Sequence, residues 1–226
     1  SNLFRSGTLE NYEPEIRKAI LKLTRPGMVA YDIGANIGVF SFLFASIVKS
    51  GGTVYAFEPE KNNYICLEKS LEINNIKNVF LDKRAVGKYK GKEIFDRRGG
   101  AFSGRLIGED VKYNQTGNIE YIDTINIDTL ITVENVLAPD IMKIDVEGNE
   151  ILVLEGMVNT LQKYSPIILC ELHTHLGESS NDVINLLIDN GYSIYGLDEI
   201  IKDNYIEPNR MELTRKRYIV GMKQIL

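Results

Sequence analysis

Glycine, asparagine and a carboxylate meet in one short segment, YDIGANIGVF, residues Tyr31–Phe40. Asp32 lies at the end of a strand-like run, and Gly34 and Gly38 bracket a tight turn into a helical stretch. Glycines at such a turn let the backbone bend sharply and let a ligand approach it closely. A dinucleotide site uses three glycines, G-x-G-x-x-G, so that pyrophosphate reaches a helix N-terminus, and a carboxylate directly before the loop repels that anion. Here Asp32 precedes the turn, and Ala35 and Asn36 lie within it. An acidic residue in that place suits a ligand bearing an ammonium and a sulfonium, which describes S-adenosylmethionine. Glu58, 20 residues beyond Gly38, ends the second strand-like run. A carboxylate there can accept both ribose hydroxyl protons, a contact that fits S-adenosylmethionine and NAD equally. At the end of the third run, Arg84-Ala85 borders the expected adenine position, with Ala85 offering backbone groups.

A second constellation carries acid and base. Asp145, Glu147 and Glu150 follow the fourth strand-like run, and Glu171, His173 and His175 cluster at the end of the fifth. A weakly acidic group that must lose its proton needs a base or a metal at about 3 Å. His173 and His175 are the only histidines, and imidazole titrates nearest neutral pH. His173 is therefore the expected general base, with Asp145 and Glu171 beside it. The competing role for Asp145 is a helix cap, with Glu147 and Glu150 in the first turn of the following helix. A divalent metal at Asp145, Glu171 and His173 is chemically feasible but not favoured, and no metal ligand is assigned.

These residues need a scaffold that brings strand ends together. Short runs rich in Val, Ile and aromatics cover Met28–Ile33, Thr53–Glu58, Asn78–Val86, Asp140–Asp145 and Pro166–His173. Most are apolar on both faces, as parallel strands covered by helices are. Helical patterns lie between them at Val39–Val48, Asn62–Ile73, Ile151–Leu161 and Asp182–Asn190, the last closed by Gly191. The alternation predicts a Rossmann-like, doubly wound α/β sheet. A lead-in helix within residues 1–27 precedes it, stopped by Pro26-Gly27. Residues 87–130 switch to polar, alternating segments that predict an inserted β-hairpin or flap, and the glycines of Arg98–Leu106 suit a lid. Ser193–Leu197 and Arg217–Lys223 predict two further strands around a charged loop. With no repeats or linkers, residues 1–226 are expected to form one domain.

Composition narrows the function classes. The 226 residues are 44% hydrophobic and 25% charged, with a formal charge of −5, so the chain as a whole repels a polyphosphate backbone and no nucleic-acid partner is expected. The longest apolar stretch, Gly38–Val48, falls short of the ~20 residues that span a bilayer. Cys66 and Cys170, both in apolar surroundings, read as reduced thiols, and a cytoplasmic location follows. The chain can also be a domain of a longer protein. A basic run, Lys83, Arg84, Lys88, Lys90 and Lys92 with Arg97, Arg98 and Arg105 beyond, could draw an anionic acceptor.

DIGANIGVFS, FEPEKNNYICLEKSLEIN, IDTL followed by IMKIDVEGNEILVLEG, and PIILCELH together resemble the successive signatures of the FkbM-type branch of class I S-adenosylmethionine-dependent methyltransferases. KIDVEGNEILVLEG is the most specific of these, and the match spans Tyr31–His173. The resemblance implies a seven-stranded, mostly parallel sheet whose last strand is antiparallel, with the cofactor across the carboxyl ends of the strands. By matching, Asp32, Gly34, Asn36 and Gly38 would hold the methionine part, Glu58 the ribose and Arg84-Ala85 the adenine edge. Asp145 would face the methionine moiety or the acceptor. The implied activity is O-methylation of a hydroxyl on a sugar, glycan or related metabolite. Two alternatives stand beside it: an S-adenosylmethionine-binding regulatory or scaffold domain without turnover, and an NAD-dependent oxidoreductase.

Overall fold

Pro14 opens the first helix, α1 (Pro14–Leu23), where its missing N–H leaves no helical hydrogen bond unmade, and Ile16, Ala19 and Ile20 form the buried face. The computed structural model describes residues 12–96, 105–107, 119–173, 180–203, 205, 210–214 and 216–223. Its strands are β1 (Val29–Ile33), β2 (Thr53–Phe57), β3 (Val79–Asp82), β4 (Ala85–Val86), β5 (Gly91–Asp96), β6 (Arg105–Ile107), β7 (Ile119–Ile125), β8 (Ile141–Ile144), β9 (Ile167–Glu171), β10 (Ser193–Gly196) and β11 (Tyr218–Met222). The remaining helices are α2 (Val39–Val48), α3 (Lys61–Ile73), α4 (Ile127–Thr132), α5 (Glu150–Glu155), α6 (Val158–Lys163), α7 (Ser180–Asp189), α8 (Leu197–Ile201) and α9 (Arg210–Leu213).

Seven strands form one sheet in the order β10-β11-β9-β8-β1-β2-β3. β1 pairs in parallel with β2 and β8, β2 with β3, and β8 with β9, whereas β11 runs antiparallel between β9 and β10. Successive residues of a strand point to opposite faces, and here both faces are covered. Tyr31, Ile33, Met142, Ile144 and Ile168 pack into a cluster with Val153, Leu154 and Val183 of α5 and α7. Ala30, Ile141 and Leu169 pack on the other side against α1 and α2. Each fully buried Leu, Ile or Met contributes roughly 1.5–3 kcal/mol. The doubly wound expectation and the antiparallel last strand both hold.

The segment expected as a hairpin differs in detail. A second sheet has the order β4-β7-β5-β6, so residues on both sides of Lys83-Arg84 go to different sheets. The chain turns there because Asp82 Oδ1 accepts the Arg84 backbone N–H at 2.9 Å. β4 is parallel to β7, while β5 is antiparallel to both β7 and β6. The helix expected over Ile151–Leu161 is divided between α5 and α6 at Gly156-Met157, where Gly156 packs directly on the Gly87 carbonyl. The charged loop Asp198–Lys216 carries α8 and α9. Cys66 is exposed, contrary to its apolar-looking surroundings, while Cys170 is buried. Arg97, Arg98, His175 and most of the glycine-rich Arg98–Leu106 stretch lie outside the described residues.

Candidate active site

β1 lies between β2 and β8, so the loops leaving its carboxyl end diverge and open a crevice, the place where open α/β sheets bind ligands. A cavity of about 710 Å³ occupies it, within the ~300–1,000 Å³ range of small-molecule sites. Its floor is Gly34–Ile37 after β1 and Glu58–Glu60 after β2. Asp145–Glu147 with Asn149, and Glu171 with His173, form one wall; Tyr12, Glu13 and Arg217 also border it. Phe95 and Leu106 of the second sheet, with Ala85 and Val86, line the opposite side.

The turn after β1 has two left-handed glycines and a left-handed asparagine, Gly34 (φ +76°), Asn36 (φ +52°) and Gly38 (φ +92°). A side chain at Gly34 would strike the Asp145 carbonyl, which fixes this glycine by close approach as well as by φ. Gly38 packs against Leu67 and does not border the cavity. Asp32 is fully buried beneath the turn, accepting the Ser41 hydroxyl at 2.6 Å, with the Lys143 ammonium 3.8 Å away. Burial pushes its carboxyl well above the usual range, against the pull of Lys143 and Ser41.

Glu58 is held by its neighbours. Oε2 accepts the Asn36 N–H at 2.7 Å and Oε1 accepts the Glu60 N–H at 2.8 Å. The Asn63 amide also donates to it, so about one of a carboxylate's roughly four acceptor positions remains for a hydroxyl. Burial raises its pKa to about 7 despite these donors. Glu60 in turn caps α3, accepting the Asn62 and Asn63 N–H groups at 2.7 and 2.8 Å. Arg84 is engaged elsewhere: its guanidinium donates to both Asp82 oxygens and both Glu134 oxygens. Ala85 borders the cavity and Arg84 does not.

On the far wall Lys143, buried within β8, donates to Asp145 Oδ2 at 2.9 Å and sits 5.2 Å above the Phe40 ring. Burial works against its charge, but Asp145 and Asp32 keep it above the ordinary lysine range. His173 is 5% exposed. Its Nδ1 lies 2.8 Å from Glu150 Oε1, and because a carboxylate only accepts, Nδ1 carries the proton. Nε2 then faces Glu171 Oε1 at 3.5 Å, Glu147 Oε2 at 3.6 Å and Asp145 Oδ1 at 3.7 Å. Burial lowers the imidazole's affinity for a second proton, but Glu150, Glu171 and Asp145 outweigh it and raise the pKa to about 9. Arg217 donates to Glu171 Oε1 at 2.6 Å.

The sequence thus brings Gly34, Ala35, Asn36, Glu58, Ala85, Asp145, Glu171 and His173 to one cavity, with Asp32 and Gly38 shaping its floor from beneath. It does not bring Arg84. Sequence reasoning misses Lys143, Glu60, Asn63, Phe40, Tyr12, Glu13 and Arg217. Lys143 leaves a signal, a cation inside a strand otherwise apolar on both faces; Arg217 and Tyr12 leave none. One atom each of Asp145, Glu171 and His173 lies within 4.8 Å of the others, a spacing that a cation could bridge. Lys143 donates to one oxygen of Asp145 and Arg217 to one oxygen of Glu171.

A profile described as the methyltransferase FkbM domain matches residues 32–194. The chain belongs to that family. It is an S-adenosylmethionine-dependent methyltransferase. The hexuronic acid methyltransferase AglP of Haloferax volcanii is 29% identical over 175 residues, covering 77% of this chain and 67% of that protein. The 31-O-demethyl-FK506 methyltransferase FkbM of Streptomyces tacrolimicus is 27% identical over 198 residues, covering 75% of this chain and 74% of that one. Among solved structures, the FkbM methyltransferase of Methylobacillus flagellatus superposes with a TM-score of 0.54 at 17% identity. That likeness of fold covers 91% of this chain, which spans half the length of the other.

The cavity of this FkbM-type methyltransferase fits its cofactor chemically. Six lining carboxylates, Glu13, Glu58, Glu60, Asp145, Glu147 and Glu171, outnumber Lys143, Arg217 and His173 and suit a cationic ligand. Gly34, Ala35 and Asn36 border the cavity beside these carboxylates.

Proposed function

We propose that this FkbM-type methyltransferase O-methylates a hydroxyl of a sugar, glycan or related metabolite, with His173 as the general base. The observation that carries the reading is the pairing of His173 Nδ1 with Glu150, which leaves Nε2 as the basic atom at the cavity wall. When bound, S-adenosylmethionine supplies a methyl group on a sulfonium that leaves readily, so alignment and proton removal are the protein's share. Gly34, Ala35 and Asn36 hold the methionine part with backbone groups, Glu58 takes a ribose hydroxyl, and Ala85 borders the adenine. Asp145, held by the Lys143 ammonium, orients the reacting groups, and Nε2 of His173 accepts the hydroxyl proton.

A relative named for a hexuronic acid supports a sugar-type acceptor. The excess of carboxylates around the cavity favours a neutral hydroxyl over an anionic group. The described part of the basic run offers little to an anion. Lys88 pairs with Glu155 at 3.0 Å, Lys90 with Glu134 at 3.1 Å and Lys92 with Asp123 at 3.8 Å.

The test is formation of S-adenosylhomocysteine from S-adenosylmethionine with a panel of neutral and acidic sugars. The expected product is a methyl ether, which survives mild alkali, whereas a methyl ester is hydrolysed. His173→Asn should abolish turnover with cofactor affinity retained. Cofactor binding without turnover on any sugar, or an alkali-labile product, would sink this reading.

A further inference from the structure

Glu150 is buried to 0% exposure in a chain where buried carboxylates need donors. It begins α5, and its side chain turns back over the preceding loop. Oε1 accepts the Val146 N–H at 3.1 Å and the Gly148 N–H at 3.2 Å, as well as His173 Nδ1 at 2.8 Å. The loop so clamped is strained: Glu147 (φ +56°) and Gly148 (φ +94°) are consecutive left-handed residues, and a glutamate adopts that conformation at a cost. One carboxylate oxygen therefore joins the loop after β8 to His173, two residues beyond β9. It holds Glu147 beside Nε2 and fixes which imidazole nitrogen faces the cavity.

We infer that Glu150 is a positioning residue for methyl transfer, which holds His173 by Nδ1, sets its basicity and keeps the Glu147 loop folded against it. The inference rests on the reading of His173 as base. The proton balance is simple: the acceptor hydroxyl gives its proton to Nε2, Nδ1 retains its own, and the resulting imidazolium is stabilised by the Glu150 charge. Other charged groups face the same ring. Asp145 and Glu147 approach from the loop after β8 and Glu171 from β9, with Lys143 behind Asp145 and Arg217 behind Glu171. At 2.8 Å Glu150 is the nearest of these carboxylates to the ring.

The chain has two histidines, so isotope-labelled imidazole signals of the untagged protein can be assigned by comparison with His173→Asn. In the wild type, His173 should be protonated at Nδ1 when neutral and titrate well above the ordinary histidine value. In Glu150→Gln that titration should fall by one pH unit or more. The acid limb of the kcat profile should move down with it, and kcat should drop at least tenfold at high pH with the KM for S-adenosylmethionine little changed. Glu150→Asp should restore part of both effects. A wild-type His173 that titrates at or below the ordinary value, or carries its neutral proton on Nε2, overturns the inference even if the variant fails to fold. An unmoved titration in folded Glu150→Gln does the same. A titration that moves while the acid limb does not overturns His173 as base, and with it a catalytic role for Glu150. Turnover retained by His173→Asn would refute His173 as base and, with it, the inference.

Discussion

Replacing Lys143 with methionine keeps the length of the side chain and removes the cation between two carboxylates. The ammonium lies 2.9 Å from Asp145 and 3.8 Å from Asp32, and both Lys143 and Asp32 are buried. Removing one partner of a buried ion pair costs about 3–5 kcal/mol, chiefly because an uncompensated charge is left behind. At ~2.1 cal/mol/K per residue, 226 residues give an unfolding entropy near 0.47 kcal/mol/K, so Tm should fall by about 6–11 °C. Asp32 takes most of this cost, since the Asp145 side chain is 22% exposed and can hydrate itself. The folded Asp32 carboxyl binds its proton at a higher pH than the unfolded one. Its ionisation therefore penalises folding above the unfolded value of about 3.9, and the penalty is relieved as pH falls through the raised folded value. The variant's deficit should be largest near pH 8 and shrink on acidification towards pH 4, and Asp32→Asn added to Lys143→Met should recover at least half of it. Urea unfolding across that pH range, with m unchanged, measures the effect. A loss under 1 kcal/mol at pH 8, or a double variant no more stable than the single one, would refute the claim that Lys143 neutralises this buried carboxylate.

Three further outcomes follow from the site. With His173 protonated up to about pH 9, kcat/KM should rise about tenfold per pH unit from pH 6 towards 9, and a flat profile would exclude His173 as base. Glu58 binds a ribose hydroxyl as a carboxylate, so S-adenosylmethionine affinity should weaken as pH drops below about 7. Glu58→Ala should weaken it by about 10–100-fold by calorimetry and remove the pH dependence, which corresponds to about 1.4–2.7 kcal/mol. Gly34→Ala forces a methyl group against the Asp145 carbonyl at φ +76°, and should destabilise the fold by more than 1 kcal/mol and abolish cofactor binding; a stable, binding variant would mean that the turn yields.

Local pattern is enough for the parts of this fold that local sequence controls. The span Val39–Val48 agrees with α2 to the residue because Gly38 begins it in a left-handed turn and Lys49, at φ +60°, ends it. The carboxyl-end loops are legible because most of them follow strands that are largely apolar on both faces. Features that depend on distant partners are not. Nothing in Ala85-Val86 announces pairing with Thr124-Ile125 in a second sheet. Gly156 interrupts a helical pattern only because Gly87 packs on it from another element. Arg84 sits beside the expected adenine position in sequence, but Asp82 and Glu134 together draw its guanidinium away. Lys143 is an ion in an apolar strand whose meaning depends on Asp32, a residue on a different strand.

That last separation has a consequence in time. β1 is extended by β8, with Asp32 opposite Lys143 in register, 111 positions later in the chain. At ~5–20 residues per second of synthesis, about 5–20 s pass between the emergence of the carboxylate and that of the ammonium. During that interval β1, β2 and β3 can already pair, but one edge of β1 is open and the central carboxylate has no cation beside it. The early half of the sheet is therefore held below full stability until its later half arrives, and the turn after β1 and the wall that follows β8 and β9 are completed together.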